Sequence, residues 1–375
     1  MNRNYDIIII GGGIIGTASA YYLSGRGMKV LLLEKNFLTA GSTGRCISGV
    51  RQQFSSPTTI QLAMTSVRLF KILQDENVDI EWKNSGYLFL AYSEDIVRML
   101  KKNITIQQQY GLDVSFITPE ACKKQVPLLN ADNLIGAAWC GSDGQANPFL
   151  TVKAYADGTT KNGGTILIGE EVSAIKTAAN RIESVTTTGG EVYSAPAVLN
   201  AAGPWAECVN QMVGLSMPLE PERHEALITE GVEYCSIPML VDYRPDGGYF
   251  MQRVTGQFIG CFTPKPNIPG RNIDSSLDFL ADMSSRMVRL VPAIQHLAVL
   301  RQWAGSYTMT PDGSPILGQT EIDGFYCAVG MNGHGFMLGP AIGQAMAQYI
   351  TEKQWPIPLA ELEYGRNYGK KEDMA

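Results

Sequence analysis

Asp6-Ile7-Ile8-Ile9-Ile10-Gly11-Gly12-Gly13-Ile14-Ile15-Gly16 is the stretch on which the reading of the fold turns. Four consecutive isoleucines are too apolar for a strand with one wet face, so the run predicts a strand buried on both sides, as in a parallel sheet. Gly11, Gly13 and Gly16 then satisfy the spacing G-x-G-x-x-G. A helical pattern follows from about Ile14 to Leu23 and stops at Ser24-Gly25, and a second apolar run, Lys29 to Leu33, ends on Glu34. Each part suits the pyrophosphate of an adenine dinucleotide. Gly11 permits the tight turn, Gly13 lets phosphate approach the N–H groups of the helix start, and Gly16 lets the helix lie close on the strand. Glu34 stands 18 residues after Gly16, where a carboxylate accepts both ribose hydroxyls and repels a 2′-phosphate. This disfavours NADP but does not choose between FAD and NAD.

The composition narrows the class. The chain has 375 residues, 45% apolar and 18% charged, which is ordinary globular usage and excludes a disordered or fibrous protein. The net charge of −6, with no Lys/Arg run longer than two, excludes the concentrated basic face that a nucleic acid needs. Seven cysteines without a CxxC pair signal neither a disulfide framework nor an iron–sulfur or zinc site, and predict reduced thiols. The start Met1-Asn2-Arg3 and the triplet Ala18-Ser19-Ala20 imitate a signal peptide, but Asp6 opens the apolar run and Gly11–Gly13 break it. With no apolar stretch long enough to span a membrane, a cytoplasmic location is expected. Glycine is in excess, 39 residues grouped in short motifs, which suggests backbone that approaches a ligand closely.

Further along, Gly41-Ser42-Thr43-Gly44-Arg45 reads either as a clasp for the dinucleotide or as a solvent loop. A helix is predicted around Leu62, Val67, Phe70 and Leu73, a strand at Tyr87–Ala91, a helix near Glu94–Tyr110, and a turn-rich boundary at Trp139–Gly144. Alternating pattern then returns: helix Thr151–Lys161, strand Thr165–Ile168, a hairpin across Gly189-Gly190, and a buried strand Ala197–Gly203 ending on small residues. The segment from about Pro218 to Leu300 looks β-rich, with strands at Tyr249–Met251 and Phe258–Gly260. The last part carries a strand at Gly324–Gly330, the loop Gly333-His334-Gly335 and a helix through Ala341–Ile350, and the tail beyond Trp355 is expected to fray. The fold class is thus α/β (α+β overall). A discontinuous dinucleotide domain (1–85, 146–217 and 301–375) is interrupted by a β-rich substrate domain (86–145 and 218–300).

Five segments in order carry a family resemblance: the N-terminal fingerprint, the Gly41-Ser42 loop leading to Val50-Arg51-Gln52-Gln53, Asn200-Ala201-Ala202-Gly203-Pro204-Trp205, Thr310-Pro311-Asp312-Gly313-Ser314-Pro315, and Gly330-Met331-Asn332-Gly333-His334-Gly335-Phe336. Together they resemble the FAD-dependent amine and amino-acid oxidoreductases of the D-amino-acid oxidase superfamily, above all the β subunits of heteromeric sarcosine oxidase and L-proline dehydrogenase. The resemblance implies FAD, a cofactor domain of the glutathione-reductase Rossmann type, and transfer of a hydride from the carbon beside an amine nitrogen to flavin N5, giving an imine. It implies a cofactor set of Gly11, Gly13, Ile14, Ile15, Gly16, Glu34, Lys35, Gly41, Ser42, Thr43, Val172, Ala202, Gly203, Trp205, Gly305, Gly333, His334, Gly335, Phe336 and Met337. The helix starting near Phe336 would aim its positive end at the flavin's N1/O2 edge.

The catalytic set it implies is Arg51, Tyr249, Arg301 and His334. Arg51 matches a carboxylate-binding arginine, against a competing reading as a surface salt bridge or phosphate contact. Arg301 is a second carboxylate or flavin-edge candidate, Tyr249 a site-lining or merely packed tyrosine, and His334 a residue that shapes backbone near the flavin. His224, within Glu222-Arg223-His224-Glu225, is read as solvated. Gly305 stands where related enzymes carry a flavin-linking cysteine, so FAD is expected to be non-covalent. Met337 replaces a carboxylate-holding lysine, and no lysine clearly matches the one tied to oxygen activation, Lys265 being only nearby; this favours a dehydrogenase over an oxidase. The expected substrate is a small amino acid such as proline, hydroxyproline or sarcosine. Alternatives are an oxygen-using oxidase, or an FAD-carrying subunit active only with an α subunit and an iron–sulfur partner, with an FMN shared between subunits. An NAD-dependent dehydrogenase is the remaining reading.

Overall fold

The computed structural model describes residues 4–76, 78–369, 371, 372 and 374, so Met1–Arg3 of the leader-like start lie outside the described residues. Strand Ile7–Ile10 lies inside a six-stranded sheet, between Val198–Asn200 and Val30–Glu34 and parallel to both. Thr165–Ile168 extends the sheet beyond Val30–Glu34, while Phe325–Val329 and then the antiparallel Ile316–Gln319 extend it on the other side. Successive side chains of a strand point to opposite faces, and here both faces are covered. Ile7 and Ile9 enter a core with the helices Ile14–Gly25 and Gly335–Glu352, whereas Ile8 and Ile10 pack against a three-stranded antiparallel sheet through Val172, Ile175 and Val185. The all-apolar run follows from that double burial.

The two helices approach closely because the second presents glycines to the first. A Cβ on Gly339 would lie 2.6 Å from Ile14 Cγ1, and one on Gly343 2.6 Å from Ala18 Cβ. Both helices start at the same edge of the sheet, one straight after Gly13 and the other after His334.

An eight-stranded sheet forms the second layer system, in the order Val299–Met309, Glu220–Gly231, Gln257–Cys261, Tyr249–Gln252, Met239–Asp242, Tyr87–Ala91, Gly136–Cys140 and Ser115–Ile117. Helix Leu277–Leu290 covers one face, burying Phe279, Met283, Met287 and Leu290. This helix lies within the segment expected to be β-rich. Its apolar residues recur at helical spacing, and its start is marked by Ser276, whose side chain accepts the Phe279 N–H. Helix Glu94–Gln109 packs on the other face beside Tyr87, Phe89 and Met251. The strand Val299–Met309 crosses the boundary expected at 300–301: all of it belongs to this sheet, paired with Glu220–Gly231 from Glu220↔Met309 to Thr229↔Val299. The tail differs too. Instead of fraying, it packs: Leu359 and Leu362 are buried, the Tyr364 N–H bonds the Leu317 carbonyl, and Glu372 and Met374 are buried. Among the described residues no helix is long and apolar enough to cross a membrane, and all seven cysteines are free thiols.

Candidate active site

A cleft of about 1700 Å³, its open mouth included, runs between the edge of the six-stranded sheet and the strands Glu220–Gly231 and Val299–Met309. At one end the glycine turn forms its floor. Gly11 has φ +114°, a region that favours glycine, and a Cβ there would lie 2.5 Å from the Ala201 carbonyl oxygen. Glu34 folds back over the turn, taking the Gly12 N–H at 2.7 Å on Oε2 and the Asn36 N–H at 2.8 Å on Oε1. Thr43 Oγ1 accepts the Ile14 N–H at 3.2 Å, so the Gly41–Thr43 loop closes over the helix start rather than standing free in solvent. Lys35 Nζ sits 3.8 Å from the centroid of the Trp205 ring.

Every cofactor candidate except Gly16, His334 and Met337 lines this cleft. Gly16 lies behind it, where a Cβ would collide with the Gly11 carbonyl, which accounts for the third glycine of the motif. Met337 is half-buried and packs on the helix core instead. Helix starts, whose first N–H groups have no intrahelical acceptor, open on the cleft at Ile14 and at Gly335. A glycine cradle that a Cβ would fill, two helix N-termini and a carboxylate at the second strand end fit an adenine dinucleotide.

Of the catalytic candidates, the structure brings together Arg51 and His334, and separately joins Tyr249 to Tyr307. The Arg51 guanidinium carbon lies 4.1 Å from the Phe54 ring centroid and 5.4 Å from that of Phe89. Its Nη2 is 3.1 Å from His334 Nε2, and Nη1 donates to the Gln53 carbonyl. The His334 ring stands edge-on to Phe54 at 5.1 Å. Burial and the neighbouring Arg51 hold His334 well below the usual imidazole range, so it is neutral at pH 7. Neighbouring Gln52 and Gln53 are tied down by Asp143: its carboxylate receives the Gln52 N–H at 2.8 Å, the Gln52 side chain at 3.0 Å and the Gln53 side chain at 2.9 Å. Burial pushes the Asp143 carboxyl up to about 6.

Tyr249 Oη lies 2.8 Å from Tyr307 Oη and donates toward Cys261 Sγ at 3.2 Å. Burial raises both phenols, Tyr249 well above its usual value, so the pair stays protonated. Arg301 is not part of the arrangement. Its side chain is exposed and does not line the cleft, and its charge is felt at Arg45, whose own ionisation is lowered first by desolvation and then by Arg301.

Four residues absent from the sequence-based set belong to the cleft wall: Arg45, His224, Cys261 and Tyr307. His224 contradicts the solvated reading. It is 6% exposed, stacked on Tyr307 with centroids 3.8 Å apart, and desolvation lowers it to about 4. Its polar neighbours misled because they pair with others: Arg223 meets Glu225 at 2.6 Å, and Glu225 also takes the Ser276 N–H and the Gln302 amide. Arg45 stood inside the glycine loop, and an arginine in such a loop was the available signal. Nothing local marked Tyr307 or Cys261, which reach the cleft only through the pairing of distant strands.

Fold and cleft together define an adenine-dinucleotide-binding protein. The comparisons specify it: residues 6–349 match the family of FAD dependent oxidoreductases designated DAO, and the chain belongs to that family. It is therefore an FAD-dependent enzyme, which leaves the NAD-dependent reading without support. It is 29% identical over 363 residues to sarcosine oxidase subunit beta of Rhodobacter capsulatus, covering 95% of this chain and 87% of that one. Among solved structures it is similar to L-proline dehydrogenase from P. horikoshii (35% identity, TM-score 0.93, 97% of each chain). It is also similar to glycine oxidase from Geobacillus kaustophilus (26% identity, TM-score 0.89, 98% of this chain and 100% of that one).

Proposed function

We propose that this chain dehydrogenates the C–N bond of a small secondary amino acid of the proline, hydroxyproline or sarcosine type, leaving an imine. One observation carries the reading. Arg51 is a cation beside two aromatic rings, with no carboxylate in contact among the described residues. A guanidinium so placed suits a substrate carboxylate, which it holds through two parallel hydrogen bonds. The relatives named for sarcosine and L-proline support the substrate class.

FAD, when bound, supplies the hydride acceptor; the glycine turn, Glu34 and the two helix starts are the groups that would hold it. The protein's task is then to orient the substrate and set its protonation. Hydride can leave the carbon beside nitrogen only when the nitrogen lone pair is free, so the amine must be neutral. The Arg51 guanidinium, a neutral His334 beside it and the protonated Tyr249–Tyr307 pair would stabilise a carboxylate but not an ammonium ion, and so favour the neutral amine. The expected consequence is that kcat/KM rises with pH on the ionisation of the substrate amine, and the profile shifts when a substrate of different amine basicity is used.

Lys265 is exposed and does not line the cleft, where Lys35, beside Trp205, is the lining lysine. This supports electron delivery to an acceptor other than oxygen. Peroxide formed in step with substrate by the isolated chain would instead establish the oxidase reading. FAD is proposed to be non-covalent, with Gly305 on the cleft wall, so acid precipitation should release all of the flavin. The similarity to a subunit named beta supports a role within an assembly. An α subunit, an iron–sulfur partner and a shared FMN are tested by stoichiometric co-purification. In this proposal the six-stranded sheet with its covering helices is the cofactor domain, and the eight-stranded sheet the substrate domain.

A further inference from the structure

Met374, late in the chain, reaches the Arg51 guanidinium assigned to the substrate carboxylate. Glu372 is 8% exposed and Met374 2%. The Glu372 carboxylate takes the Ser55 N–H at 2.6 Å, the Ser56 N–H at 3.0 Å and the Ser55 hydroxyl. It thereby sits at the start of the helix Pro57–Asp75, where a negative charge is favoured. Two residues on, the Met374 carbonyl accepts a hydrogen bond from Arg51 Nη2. The Met374 side chain lies in the apolar cluster of Tyr87 and Phe89, its sulfur 3.5 Å from Gln107 Nε2. Arg51 is only 6% exposed and does not line the cleft. The guanidinium meant for a substrate is thus covered from outside by the protein itself.

A carbonyl oxygen on the guanidinium and an apolar side chain among aromatic rings are the two contacts a small amino acid would make there. We propose that Met374 is a built-in competitor for the Arg51 guanidinium, latched by Glu372 on Ser55 and Ser56, which substrate must displace. The proposal rests on the reading of Arg51 as the carboxylate site. Displacement is feasible because a carboxylate binds a guanidinium more strongly than a neutral carbonyl does. The apparent affinity for substrate is lowered by the fraction of molecules in which Met374 is docked, so loosening the latch raises that affinity.

The test uses the full FAD-loaded chain, with pyrrole-2-carboxylate and acetate as non-reacting probes read by the flavin spectrum and L-proline as the turnover substrate. E372A removes the latch, and M374G keeps the latch but removes the plug. Both are expected to lower the probe Kd and the L-proline KM by about fivefold or more, with E372D close to wild type. In the wild-type protein the probes should also speed tryptic cleavage after Lys371. R51A should weaken probe binding and abolish that acceleration. Unchanged Kd in E372A and M374G, with cleavage indifferent to the probes while R51A still weakens binding, overturns the competitor alone. An unchanged Kd in R51A, or no probe binding to any form, overturns the assignment of Arg51 instead.

Discussion

Among the described residues, the groups that hold Arg51 in place leave its charge unneutralised. Phe54 and Phe89 flank it, and Gln53, His334 and Met374 accept from it without bearing negative charge. Truncating one partner of a buried charged pair costs about 2–5 kcal/mol. R51A should therefore lower kcat/KM by about 100-fold or more, mostly through KM, while the protein retains its FAD; steady-state kinetics with a flavin-to-protein ratio checks both. Two other buried groups link stability to pH with opposite signs. Asp143 is raised to about 6, so its contribution is full below the unfolded carboxylate value and is lost as pH rises through 6. His224 is lowered to about 4, so the folded form resists a proton that the unfolded chain accepts, and stability falls as pH drops from about 6.5 towards 4. Both effects fall between about pH 4 and 6.5 and oppose each other, so melting temperatures across that range should rise more steeply with pH in D143N and fall with rising pH in H224Q. The reverse assignment would show that these groups do not have the surroundings described.

At the scale of elements, glycines set how closely helices and strands meet. Gly343 brings the helix Gly335–Glu352 onto Ala18 and Ser19, with a Cβ placed 2.6 Å from Ala18 Cβ and 2.8 Å from the Ser19 nitrogen. G343A should destabilise the fold by about 1–3 kcal/mol, the usual cost of overpacking. Because both helices start on the cleft, it should also weaken FAD retention; chemical denaturation and flavin release measure the two. The parts of the fold legible in the sequence were those where local chemistry is unambiguous: four isoleucines buried on both faces, a glycine turn with a fixed spacing, and Glu34 at a strand end. The helix Leu277–Leu290 was legible in principle, through its apolar spacing and Ser276, but the strand-like runs Tyr249–Met251 and Phe258–Gly260 before it dominated the reading. Val299–Met309 was cut in two because nothing local shows that a strand continues through Gly305; its partner Glu220–Gly231, some 80 residues away, decides that.

Across the whole molecule, the site is an assembly of distant segments. The glycine turn comes from the first strand, Arg51 from a loop held by Asp143, Tyr249 and Tyr307 from two strands of the second sheet, His334 from the start of the last long helix, and Met374 from the tail. The cofactor end could be read from sequence because it is local. His224, Tyr307 and Met374 could not be read from sequence, because they acquire their places only through long-range pairing and burial. Central to the proposed function is an amino-acid carboxylate on Arg51 that presents the carbon beside its neutral amine for oxidation. Anaerobic titration of the purified FAD-loaded chain with L-proline, hydroxyproline, sarcosine, glycine and lactate, following the flavin absorbance, tests it most directly. The account predicts bleaching by the secondary amino acids, none by lactate, and loss of bleaching in R51A at the same concentrations with FAD retained. Bleaching by lactate alone, no bleaching by any amino acid, or an R51A protein that bleaches like the wild type would contradict it.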